Sequence, residues 1–246
     1  FLARNFGFKV NALPFDLLAK SLPLSCLGKH KNSILQIEAL LFGQSGLLKS
    51  GFNDSYPRQL QKEYNFLKEK YNLTHLDHQI WRFMRLRPSN FPTIRIAQLA
   101  DFVFKSSHLF SKVLEAGSLR DLVALFTISV SEYWRDHYLF DKPSAVRSKN
   151  LGLTAIHLIM INTVIPFLFV YGKNRNDQGM VDRSLRLLDQ LPGEVNTVVK
   201  KWETIGMSVR TAFNTQALIE LKSNYCNHKK CLHCAIGNDL LKQEIH

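Results

Sequence analysis

At 246 residues and 46% hydrophobic composition, the chain can bury a full core as one large domain or two small ones, which excludes a disordered chain. Lys and Arg outnumber Asp and Glu by 32 to 20, a formal charge of +12 with an isoelectric point near 9.6. That balance favours polyanionic partners, nucleic acid above all.

The chain opens on Phe1 with no initiator Met and no cationic stretch ahead of an apolar run, so it reads as an internal fragment rather than a secretory precursor. Helical periodicity dominates from there on, with no series of alternating strands. Pro14, suited to a first turn, opens an expected helix over 14–22. Asn32 is placed to cap a helix over 33–42, which Gly43 and Gly46 close. A third helix is expected over 56–71 with Lys62 and Glu63 on its solvent side. The stretch 93–104 reads as a helix just after Pro92. Ser118 caps 119–126, with Asp121 at the capping-box position.

From 150 to 172 no residue is charged, and the run nearly has the length of a membrane span. Its interior argues for a buried core helix instead. His157, Asn162 and Thr163 lie centrally, Pro166 interrupts it, and basic residues flank both ends (Arg147 and Lys149; Lys173 and Arg175), so no orientation is favoured. No membrane partner is therefore expected. Helices over 182–191, 196–204 and 208–222 complete the series. The expected fold class is all-α: a single multi-helix globular domain over 1–222, followed by a Cys-rich segment over 223–246 in the form of a metal-type knuckle. Sub-boundaries are placed near 141–144 or 172–179.

Three of the four cysteines, Cys226, Cys231 and Cys234, fall within nine residues as C-x4-C-x2-C. Thiolates at that spacing suit a soft metal, zinc first. A tetrahedral site needs a fourth ligand, and His228 is the candidate within the run; His233, His246, Cys26 and His30 are others. An iron–sulfur cluster is the alternative, and three ordinary cysteines the bland one. Four cysteines in so irregular a pattern do not make a secreted disulfide framework, which places the chain in a reducing cytoplasm.

A second constellation is basic. Between 78 and 100 there are four arginines, Arg82, Arg85, Arg87 and Arg95, and no Asp or Glu. Guanidinium groups donate in pairs to phosphate, and Ser89, Asn90 and the following helix start add neutral donors. Trp81, Phe83 and Phe91 are interleaved and could stack on bases. The plainer reading is a solvated basic loop with aromatic anchors. Glu132, Asp136 and His137 form a third group with acid–base potential, though an aromatic packing node is the commoner meaning. His75 and His78, three apart, could share a metal or start a polar helix. No Walker A loop, G-x-G-x-x-G, H-E-x-x-H or G-x-S-x-G occurs.

The blocks 5–11 with Pro14 and Phe15, 36–44, 85–92, Tyr133 and Trp134 with His137 and Tyr138, Asn162 with Pro166, and Cys226, Cys231, Cys234 and Gly237 resemble the bacterial family called domain of unknown function 2851. The resemblance implies that the chain is the C-terminal portion of a longer protein. It also implies an upstream portion, the chain's first expected partner, with acidic motifs like those of a restriction-endonuclease core. None of those carboxylates lies in this sequence. The reading is thus a nucleic-acid-binding accessory domain of a nuclease-like protein with a structural metal site. The alternative is a structural or protein-interaction module that binds no nucleic acid.

Overall fold

The structure, a computed structural model, describes residues 1–49 and 51–243. It divides into two compact units, Phe1–Thr163 and Val164–His246. The division falls inside the uncharged stretch, between the two sub-boundaries expected from the sequence. The first unit holds α1 (Leu2–Phe6), α2 (Ala12–Ser21), α3 (Leu24–Lys29), α4 (Ile34–Gln44), α5 (Ser55–Tyr71), α6 (Pro92–Lys105), α7 (Leu109–Glu115), α8 (Leu119–Ala124), α9 (Tyr133–Asp136) and α10 (Leu153–Ile159). One antiparallel pair, β1 (His137–Leu139) and β2 (Lys142–Pro143), joins them, with His137 opposite Pro143. The second unit holds α11 (Ile165–Arg175), α12 (Gln178–Gln190), α13 (Thr197–Thr204), α14 (Ala212–Glu220) and α15 (Ala235–Gln243). The described residues are all-α apart from that hairpin and an isolated bridge between Pro192 and Thr211.

In the first unit α4 packs on α5 and α6. Helix α4 is apolar all round and is buried from Ile37 through Gln44, as such a helix must be. Its N-cap is Ser33, whose side chain accepts from Gln36 N, so the capping role expected of Asn32 belongs to its neighbour. Gly43 lies inside the helix rather than ending it: a Cβ there would meet the Tyr64 ring at 2.0 Å. Gly46 does close the segment, with φ +74°. Helix α5 buries Pro57, Leu60, Tyr64 and Leu67, the 3.6-residue stripe of a half-exposed helix. Glu63 faces α4, not solvent, because Gln36 Nε2 donates to it at 2.7 Å. Asn72 ends α5 in the left-handed region at φ 49°, a conformation Asn tolerates.

The Ser118 capping box of α8 forms as expected, with Asp121 accepting from the Ser118 backbone. The 141–144 turn is the tip of the hairpin, where Asp141 takes φ +57°. The uncharged stretch forms one helical run, Leu153–Arg175, which is long and apolar enough to cross a membrane by length and composition; 39% of its most apolar window is buried. Ala155, Ile156, Ile159 and Met160 are buried, whereas Leu153, Phe167 and Val170 are exposed. The run passes through a π-helical turn, Met160–Val164, just ahead of Pro166. Proline lacks an N–H and its ring crowds the carbonyl four residues back, and a π turn accommodates both.

In the second unit, α11 and α12 pair. Asp177 caps α12 by accepting from Met180 N, so that helix starts earlier than 182. Asn196 caps α13, accepting from the amides of Val198 and Val199. Thr211 caps α14 in a box with Asn214, so that helix starts later than 208.

Candidate functional site

The loop between α5 and α6 is fixed from beneath by three anchors. Trp81 is only 5% exposed; its indole N–H donates to Ser45 O at 2.8 Å and its ring meets Phe15 edge-on. The side chain of Asn11 grips the backbone of Arg82 at both ends, accepting from its N–H and donating to its carbonyl, each at 2.9 Å. Phe83 and Phe91 meet edge-on at 5.5 Å. Trp81 is thus a core anchor and cannot stack on a base.

Above these anchors Arg82, Arg85, Arg87, Ser89 and Asn90 are exposed. None of the guanidinium groups of Arg82, Arg85 and Arg87 has a hydrogen-bond or ion-pair partner among the described residues. Arg85 takes φ +61°, a turn that a non-glycine residue adopts only when its surroundings impose it. A 3₁₀ turn, Pro88–Asn90, then leads into α6.

Arg95 departs from the expected set. It is 7% exposed, donates to Gln98 Oε1 at 2.8 Å and to Asn90 Oδ1 at 2.6 Å, and lies 4.4 Å from the Phe8 ring centre. It sits on α6 where that helix is buried all round, from Pro92 to Phe102, so it supports the loop and does not face phosphate. Its Nε has no partner, and burial pushes its pKa down to about 10. Gln98 in turn donates to Lys149 O, and the buried Lys149 donates to Arg135 O at 2.8 Å over the Tyr138 ring.

The acidic and aromatic group is a packing node. Glu132 is exposed. His137 is buried and stacks on Tyr133 at 4.1 Å, with Nδ1 2.7 Å from Asp136 and Nε2 3.4 Å from Asp54. Tyr133 donates to Asp54 at 2.7 Å and accepts from Asp141 N. Two backbone amides, those of Asn53 and Asp54, hold the Asp141 carboxyl below its ordinary pKa. Deeper still is Glu38, which sequence reasoning missed. It is 0% exposed, and its Oε2 accepts from Tyr56 Oη at 2.6 Å and Trp134 Nε1 at 3.1 Å. Its Oε1 has no partner, and desolvation raises its pKa to about 7. A lone Glu in an otherwise apolar run is the signal that could have found it.

In the Cys-rich segment, two 3₁₀ turns begin on cysteines, Cys226–His228 and Cys231–His233. Cys234 N donates to Cys231 O at 3.1 Å. Gly237 lets α15 start against the second turn, since a Cβ there would come 2.3 Å from Cys231 O. Among the described residues no three His, Cys, Asp or Glu side chains are gathered as a metal-ligand set. Of the more distant ligands considered, His30 has both ring nitrogens engaged, by Gln36 and Tyr71. His246 lies outside the described residues. His75 bonds to Leu76 O, and His78 starts a 3₁₀ turn capped by Asp77.

Fold and site define the class first: an all-α chain with a rigidly anchored arginine loop and a Cys-rich C-terminal segment. The model of the family described as "Protein of unknown function (DUF2851)" matches residues 1–197, and the chain belongs to that family. The match includes the arginine loop and Cys26 and ends before Cys226, Cys231 and Cys234. None of the curated proteins and none of the solved structures matches the chain.

Proposed function

We propose that this chain is a nucleic-acid-binding accessory module of a nuclease-like protein, contacting phosphates through Arg82, Arg85, Arg87 and Ser89. The observation that carries the reading is the loop itself: three exposed guanidiniums without partners among the described residues, on a backbone pinned by Asn11, Trp81 and the Arg95–Asn90 bond. A pinned backbone loses little conformational freedom on binding, which confines the ordering cost to the arginine side chains, and the guanidiniums exchange counterions for phosphate. Asn90 contributes through its side-chain Nδ2–H, because Arg95 occupies its Oδ1 and its backbone N–H donates to Arg87 O. The nuclease-like context rests on the resemblance alone.

The proposal includes a structural metal, zinc before iron–sulfur, on Cys226, Cys231, Cys234 and His228; the spacing and the two cysteine-led turns support it. It keeps the chain cytoplasmic and off membranes, on the flanking charges and central polar residues of the Leu153–Arg175 run.

The test is duplex and single-strand binding at several salt concentrations, for the parent and for an Arg85→Glu/Arg87→Glu double variant. Affinity should fall steeply with salt, and the variant should bind more weakly with a shallower dependence. No binding at low salt, or no effect of the variant, would overturn the reading. A second reading, as an interaction module, is favoured by Leu232, Ile236 and Leu240, which are 70%, 46% and 57% exposed; it predicts an unaltered variant.

A further inference from the structure

The second unit carries a cleft of about 240 Å³ lined by Thr197, Val198, Lys201, Trp202, Ile205 and Lys222. The side chains from α13 and its end recur at positions 198, 201, 202 and 205, which places them on one helical face. Val199, one turn before Trp202, is buried and anchors the helix, while Asn196 satisfies its first amides. The face is therefore presented by a fixed helix.

Trp202 differs from the other two tryptophans of the chain. The indoles of Trp81 and Trp134 donate to Ser45 O and Glu38, and both rings pack against other rings in the core. Trp202 is half-buried, and among the described residues its N–H has no acceptor and its ring no aromatic partner. Lys201 and Lys222 flank it, and neither has a carboxylate partner among the described residues. A flat π surface that shares one cleft with two ammonium groups lacking carboxylate partners among the described residues complements a ligand that is planar and anionic at once. The volume lies below the roughly 300–1,000 Å³ of pockets that enclose whole small molecules, so it suits one ring of a longer ligand.

We propose that this cleft is a second nucleic-acid contact, taking one unpaired base of a single strand against Trp202 with neighbouring phosphates on Lys201 and Lys222. The inference takes its ligand class from the reading of the arginine loop, but the site is separate from that loop. Stacking on tryptophan is indifferent to base identity and requires an unstacked base, so the cleft distinguishes single strands from duplex.

The experiment is titration of the full chain with a thymidine oligonucleotide and with a duplex of equal length, followed by tryptophan fluorescence and by anisotropy of a labelled strand. The single strand should quench the exposed fraction of the fluorescence. Trp202→Leu should weaken single-strand binding roughly tenfold and leave duplex binding unchanged, while Trp202→Phe retains most of the affinity. Lys201→Gln/Lys222→Gln should reduce the log–log salt slope by about 1.4, the expectation for two single-strand phosphates. Single-strand affinity unchanged in Trp202→Leu overturns the proposal; should that variant fail to fold, an unchanged salt slope in the double lysine variant does so. If Arg85→Glu/Arg87→Glu abolishes duplex binding while the Trp202 variants behave as the parent, the loop reading stands and this one falls. Loss of single-strand binding in Trp202→Leu alone, with the arginine variant binding as the parent does, gives the reverse.

Discussion

Arg95 Nη2 lies 2.6 Å from Asn90 Oδ1, so a guanidinium rooted in the core holds the last residue of the turn that leads the exposed arginines into α6. Both acceptors of this cation, Asn90 and Gln98, are neutral, and the Phe8 ring covers it. A lysine offers one compact ammonium and cannot reproduce a planar fork bonded at two places. Arg95→Lys should cost about 2 kcal/mol, the scale of a lost charge-assisted hydrogen bond with its acceptor left buried. Urea unfolding measures the cost, and trypsin should cut faster after Arg82 and Arg85 in the variant. Equal midpoints and equal cleavage rates would contradict the strut role.

Glu38 makes stability depend on pH. Its folded pKa of about 7 lies above the ordinary 4.5 because burial disfavours the carboxylate. The folded state therefore binds the proton more tightly than the unfolded chain. Stability from this group is full below about pH 4.5 and is lost as pH rises through 7, a fall on the order of 3 kcal/mol at most. Glu38→Gln keeps an acceptor for Tyr56 and Trp134 and removes the titration. The variant should unfold at nearly the same denaturant concentration as the parent at pH 5 and at a higher one at pH 8. Parallel pH profiles for the two proteins would refute this.

Gly43→Ala should destabilise the first unit by roughly 2 kcal/mol, the usual scale of overpacking in a dense core. The added methyl would lie within 2.0–2.4 Å of three Tyr64 ring carbons. The ring cannot swing away freely, because Tyr64 is buried and its hydroxyl donates to Gln44 Oε1 at 3.1 Å. Gly28→Ala in α3 is the matched control, with nothing within 4 Å of the new Cβ. Similar melting temperatures for the two variants would show that the α4–α5 approach tolerates a methyl group.

Elements with local signals were legible in the sequence. The Ser118 box needs only residues three apart, and α5 carries a strong stripe. What could not be read depends on residues far apart in the chain. Arg95 shares its charge type and its segment with Arg85 and Arg87, and only the burial of α6 on all sides sets it against Phe8 and Asn90. Trp81 and Trp202 look alike as single residues, yet the first meets Ser45 O, 36 positions away, and the second meets no acceptor among the described residues. Short helices such as α1, α3 and α7 offer too few turns for a periodic pattern to emerge.

The Cys-rich segment gives the last prediction. Cys226, Cys231 and Cys234 stand in turns on a largely exposed segment, and α15 beyond them exposes Ile236, Leu240 and Leu241. Such a segment has little buried apolar area to hold it, so a metal would supply the cross-link that the core does not. Untagged protein purified without oxygen should carry about one zinc per chain by plasma mass spectrometry. Cys231→Ser should lose the metal, and Cys26→Ser, buried in α3 of the first unit, should keep it. Iron with broad visible absorbance would replace the zinc staple by a cluster. Protein free of both metals would remove the staple from the proposal and leave the arginine loop to stand alone.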